Sequence, residues 1–134
     1  MDRICGAGPV MRPALLLIAA AGVAAAEGTV PVPSGQPVTR IEIIEEMMAE
    51  GPVLRYRFLA PKAATLDFET RMADMAHLCE SVAVPDLRDA GPERPRVVVS
   101  LSEKLVEFGA RDASVAQFFE SYTVAEDRCI WEAF

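Results

Sequence analysis

The chain has 134 residues, with 13 Lys and Arg against 20 Asp and Glu, one His and three Cys. That length holds one small domain at most. A formal net charge of −7 sets it against nucleic acid and anionic membrane surfaces as partners, because both would repel it.

At the N-terminus, Met11-Arg12-Pro13 precedes an apolar run from Ala14 to Val23 and then Ala24-Ala25-Ala26. A positive residue, a short apolar stretch and small residues before a cleavage point form an export signal. Residues 1–26 are expected to be removed, with Met11 the true start and 1–10 an over-called extension. Ala14 to Ala26 falls short of the roughly 20 apolar residues a spanning helix needs, so no stable membrane span is expected after cleavage. Cys5 precedes the apolar run, whereas a lipidated Cys would follow it. The expected location is periplasmic or secreted.

Loss of 1–26 removes Arg3, Arg12 and Asp2, leaving 108 residues with 11 basic and 19 acidic side chains, net −8. Cys79 and Cys129 remain, without CxxC spacing. An even cysteine count in an exported chain favours a disulfide over a metal pair or a redox centre. The chain-entropy model values the large loop it would close at about 4 kcal/mol.

Residues 27–37 contain three prolines and Pro33-Ser34-Gly35, which predict an extended lead-in closed by a type I turn. The single domain then occupies 38–134. Val38 to Glu46 is β-branched, and Leu54 to Ala60 alternates, with Leu54, Tyr56, Phe58 and Ala60 on one face. With Gly51-Pro52 between them, the two segments predict a hairpin with a long loop.

Asp67 is a good N-cap for a helix running to Ala83 and stopped by Pro85. At about 100° per residue, Phe68, Met72, Met75, Cys79, Val82 and Ala83 form one apolar stripe centred near Cys79, while His77 points to solvent. Val84 to Arg96 is proline-rich and predicts a surface loop. Arg96 to Leu101 is the clearest strand, and Leu105 to Phe108 is a candidate to pair or follow after a turn at Ser102-Glu103-Lys104. Asp112 to Gln117 is a candidate helical turn. Phe118 to Val124 and Arg128 to Phe134 predict a terminal hairpin, whose two-residue loop at Glu126-Asp127 sets Tyr122 opposite Trp131 and Val124 opposite Cys129. The expected fold is α+β: one helix packed on a mostly antiparallel sheet, in the order ββαβ(β)ββ, with one disulfide.

Few residues carry chemical signals. His77 is the single histidine, so any Ser-His-Asp or Cys-His machine would need it, and its solvent-facing position argues against that role. Met72, Met75 and His77 invite a copper(I) site, but both methionines face the core and His77 faces away. Arg55 and Arg57 form a two-guanidinium stripe, with Arg40 placed beside them as a candidate anion or ligand face. The plainer expectation is a solvated sheet face in which these arginines pair with Glu42 or Glu45. Glu45, Glu46 and Glu50 lack the spacing of a calcium loop and predict a charged edge. Phosphate-cradling glycine loops, zinc spacings and nucleophile elbows are absent from the sequence, so no catalytic residue, cofactor or metal is expected.

Pro33-Ser34-Gly35-Gln36, Cys79-Glu80, Val98-Val99-Ser100-Leu101-Ser102, Phe108-Gly109, Gln117-Phe118-Phe119-Glu120 and Cys129-Ile130-Trp131-Glu132-Ala133-Phe134 together resemble a domain-of-unknown-function family of small exported bacterial proteins. The resemblance covers nearly the whole mature chain. It implies a signal peptide and the Cys79 to Cys129 pairing, and no established activity. Where that family has Gly before the residue preceding the second cysteine, this chain has Asp127. Some relatives bear the label acetolactate synthase. Enzymes of that name are large thiamine-diphosphate proteins, a reaction that an exported domain of this size does not house.

The expected function is a non-enzymatic binding or accessory module of the cell envelope, with an unknown envelope protein or small ligand as partner. The competing expectation is a small periplasmic enzyme or anion-binding protein. An accessory module would show an exposed apolar patch or a free sheet edge, and an enzyme a concave site with converging polar groups.

Overall fold

The computed structural model describes residues 28–91 and 94–133. The expected signal segment 1–26 and the terminal Phe134 lie outside the described residues. Among the described residues, five strands form one sheet in the order β1-β2-β3-β4-β5. They are β1 Thr39–Met48, β2 Gly51–Leu59, β3 Arg96–Ser102, β4 Gln117–Ala125 and β5 Arg128–Glu132. The β2 and β3 strands run parallel, and all other neighbours are antiparallel. A parallel pair needs a crossover, and the helical segment between β2 and β3 supplies it. The fold is therefore the expected α+β arrangement, one helix on a mostly antiparallel sheet, stapled by the Cys79–Cys129 disulfide.

The helical segment starts as expected, with the Asp67 side chain accepting from the Thr70 N–H at 2.7 Å. Helix α1, Phe68–Leu78, then passes through a π-turn at Cys79–Ala83 into a short helix, α2, Val84–Leu87. Helix therefore replaces the first part of the expected surface loop at 84–96. The wider turn puts Pro85 in the first turn of α2, the helix position that best tolerates a residue without an N–H.

The buried stripe is rotated from its expected centre. Met75, Leu78, Cys79 and Ala83 are buried, but Phe68 is 60% exposed and Asp74 is fully buried. Asp74 explains the rotation, because its carboxyl group accepts the Ser34 N–H at 2.9 Å, the Ser34 hydroxyl and the Gln36 side-chain amide at 2.7 Å. The helix thus turns a polar residue toward the lead-in. The lead-in makes the expected turn, closed by the Gly35 N–H on the Val32 carbonyl, and Val32 sits in the core.

Cross-strand partners share a face, so the register sorts the sheet into two sides. Tyr56 and Phe58 of β2, Val97, Val99 and Leu101 of β3, and Tyr122 of β4 face the helix and form the core. Each large apolar side chain buried there contributes roughly 1.5–3 kcal/mol.

Three further expectations change. The β1–β2 loop is short, since Met48 pairs with Gly51 and Pro52 pairs with Met47 inside the ladder. Pro52 is tolerated because it lies at the start of β2, one residue before pairing with β3 begins at Val53. Residues 105–108 form no strand: they belong to a segment that crosses the sheet, with Leu105 70% exposed. Asp112 to Val115 makes a turn and no helix, closed by the Val115 N–H on the Asp112 carbonyl. The terminal hairpin keeps its expected register, with Tyr122 opposite Trp131 and Val124 opposite Cys129. Its turn places Glu126 at a φ of 57°. Arg94 donates to the Glu126 carbonyl, helping to hold a turn that lacks the usual glycine.

Candidate functional site on the open face of the sheet

The helix covers one side of the sheet. On the other side, alternation places Val53, Arg55 and Arg57 of β2, Val98 and Ser100 of β3, and Phe119 and Ser121 of β4. Val98, Ser100 and Ser121 are nonetheless buried. Their shielding comes from long neighbouring side chains and from the segment 103–116, which folds back over part of this face.

Arg57 anchors that segment. Its guanidinium donates to the Val106 carbonyl and to Glu42 of β1, and its side chain is only 7% exposed. Arg55 donates from Nε to Glu46 at 3.1 Å and lies 5.6 Å from the Phe108 ring centroid and 5.9 Å from that of Phe119. Both guanidinium groups are thus matched within the protein, in favourable charge-assisted and cation–aromatic contacts. The partner of Arg55 is Glu46 in place of Glu45, which alternation puts on the helix side opposite Leu54.

Arg40 does not join them. It lies opposite Phe58 on the helix side, 3.7 Å from Asp86. Even spacing would have put it on the same face as Glu42, but the register shifts between Arg40 and Glu42. The extra residue, Ile41, reverses the alternation for everything before it.

Two troughs remain on this face. One, of about 540 Å³, lies under the crossing segment and is bounded by Arg55, Phe108, Arg111 and Phe119. The other, of about 670 Å³, has an apolar floor of Met48, Val53, Val98 and Phe119 with Arg96 and Ser121 at its margin. They meet at Arg55 and Phe119. Among the described residues, neither Arg96 nor Arg111 makes an ion pair, and the buried Ser121 hydroxyl has no hydrogen-bond partner. Chemically, this surface offers a partly apolar bed with a rim of mixed charge, in which Arg96 and Arg111 stand beside Glu50, Glu107 and Asp112.

Phe119 is the residue the sequence reading missed. Its signal was the Phe118-Phe119 pair, since adjacent aromatics in one strand must occupy opposite faces. The continuous run Val97-Val98-Val99 carried the same message, because a strand buried on both faces loses its polar alternation.

His77 is exposed on α1, while Met75 is buried and Met72 is half-buried, so these three share no site. No group of three or more His, Cys, Asp or Glu side chains is placed to hold a metal among the described residues. No helix among them is long and apolar enough to cross a membrane.

A model described as Family of unknown function (DUF6497) matches residues 14–134. The chain belongs to this family. No curated protein and no solved structure matches it. The DUF6497 match spans every strand, both cysteines and all the residues of the open face.

Proposed function

We propose that this DUF6497 protein is an exported, non-enzymatic binding module of the cell envelope that docks a partner protein on the open face of its sheet. One observation carries the reading: Met48, 49% exposed, and Phe119, 43% exposed, flank a trough whose floor is the buried Val53 and Val98. Contiguous exposed apolar surface of this kind marks interaction sites in soluble proteins. Arg96 and Glu50 at the margin favour a partner segment that combines apolar side chains with polar groups of both signs. The disulfide suits an oxidising compartment. Arg57 acts as a strut, so an anion is not the ligand its surroundings favour.

The test uses a photoreactive phenylalanine analogue at position 119 of the exported protein, with the same group at the exposed Glu69 of α1 as control. Irradiation in intact cells is expected to give a discrete adduct from 119 and none from 69. Phe119→Asp should abolish co-purification of that adduct's partner while leaving the melting temperature within a few degrees, because the ring is only partly buried and the new carboxylate lies beside Arg55. An adduct pattern identical at both positions would overturn the reading, as would full partner recovery with Phe119→Asp.

A further inference from the structure

The sheet ends at β5, and no described residue pairs with its outer edge. An unpaired edge is a template for another strand, and proteins usually blunt it with proline, a bulge, inward-pointing charge or a covering loop. Neither proline nor a bulge interrupts Arg128–Glu132, whose pairing with β4 runs without a register shift; the strand is short, and its two charged residues, at its two ends, are opposite in sign. Ile130 is 51% exposed and Trp131 50% exposed at this edge. From this edge we infer that the protein forms a symmetric dimer through antiparallel pairing of β5 with β5 of a second copy, centred on Ile130.

The register follows from the hairpin. In a two-residue hairpin the flanking residues, here Ala125 and Arg128, form a hydrogen-bonded pair, and such pairs recur at every second position. Arg128, Ile130 and Glu132 therefore direct their main-chain groups at β4, leaving those of Cys129 and Trp131 facing outward. An antiparallel copy satisfies these groups by setting Cys129 against the second copy's Trp131, and Trp131 against its Cys129. Ile130 then meets its own copy on the two-fold axis, in the closer, non-hydrogen-bonded kind of pair.

The same register sets Arg128 opposite the second copy's Glu132 at both ends of the interface. Among the described residues Arg128 makes no ion pair of its own. The strand Arg128-Cys129-Ile130-Trp131-Glu132 is thus complementary in charge to its own reverse, which an isologous interface requires. A shift by two residues in either direction leaves Ile130 off the axis and breaks both charge matches. Pairing at this edge joins the five described strands of each copy into one continuous sheet. Both helices lie on one side of it and both open faces on the other.

Sedimentation equilibrium of the mature, oxidised protein tests the assignment. A concentration-dependent dimer is expected. Ile130→Lys, which sets two like charges on the axis, should give a monomer with unchanged circular dichroism, because the side chain is half-exposed. Arg128→Glu should weaken the dimer by about tenfold or more through repulsion at both ends. Adding Glu132→Arg to it should restore affinity to near the parent value. Glu132 also accepts the Thr123 hydroxyl at 2.8 Å, an exposed bond whose loss the fold tolerates. A monomer at every concentration, or a dimer indifferent to Ile130→Lys, overturns the proposal. If the double reversal fails to recover what Arg128→Glu loses, the register is overturned. None of these outcomes bears on docking at Phe119, which β4 carries on the open face.

Discussion

Asp74 shows how a single side chain sets the seating of an element. An amphipathic stripe drawn from apolar residues ignores it, yet it is fully buried and accepts three hydrogen bonds from Ser34 and Gln36. The lead-in is held to α1 by these bonds together with Val32 and Val38 in the core. Asp74→Ala leaves the Ser34 N–H and the Gln36 amide without their acceptor, and is expected to cost about 2 to 4 kcal/mol. Limited proteolysis should then cut first within residues 30–37, where the parent resists. His77→Ala, on the exposed side of the same helix, is the control, with a change within about 0.5 kcal/mol. If Asp74→Ala melts like the control, the lead-in is held by its apolar residues alone.

At the scale of elements, the staple joins the π-turn to the edge strand. Cys79 and Cys129 have Cα atoms 6.2 Å apart and close a separation of 50 residues. Replacing both by Ala keeps small apolar groups in place and removes only the link, so a loss of roughly 2 to 5 kcal/mol is expected, read as a lower urea midpoint at an unchanged slope. An unchanged midpoint would show that packing of α1 on β3 is sufficient. The terminal hairpin was legible residue by residue, because alternation fixes register once the loop length is known. The first hairpin was legible as a pair of strands but not in its details. Gly51-Pro52 signalled a loop, whereas the actual turn lies just before them and the bulge at Ile41 moves Arg40 to the helix face. A bulge carries no composition of its own, so parity arguments made across it fail. Pro85 misled for a related reason: a proline stops a helix only where the preceding turn cannot widen to accept it.

For the whole molecule, both tyrosines lie on the helix side of the sheet, and both are buried. The Tyr56 hydroxyl donates to Asp86 at 2.9 Å. Burial, and then that bond, push its pKa well above the ordinary tyrosine value of about 10. Tyr122 is pushed the same way by burial and then by the nearby carboxylates of Glu120 and Glu80. A folded state with raised tyrosine pKa values keeps protons that the unfolded chain releases. Stability from these groups is therefore complete below pH of about 10 and falls as the pH rises above it.

The two lysines, Lys62 and Lys104, are exposed and the remaining cations are arginines, which keep their charge, so the tyrosines should dominate this response. Tyrosinate absorbance at 295 nm should rise together with loss of circular dichroism in one cooperative step. Tyr56→Phe should cost about 1 kcal/mol at neutral pH through the lost bond to Asp86. Tyr122→Phe should cost nothing there, because its buried hydroxyl has no hydrogen-bond partner among the described residues. Carrying both changes, the protein should hold a flat urea midpoint from neutrality into the range where the parent declines. Tyrosinate formation in the folded parent well before unfolding would mean that water reaches these hydroxyls, and that the core between helix and sheet opens on the alkaline side.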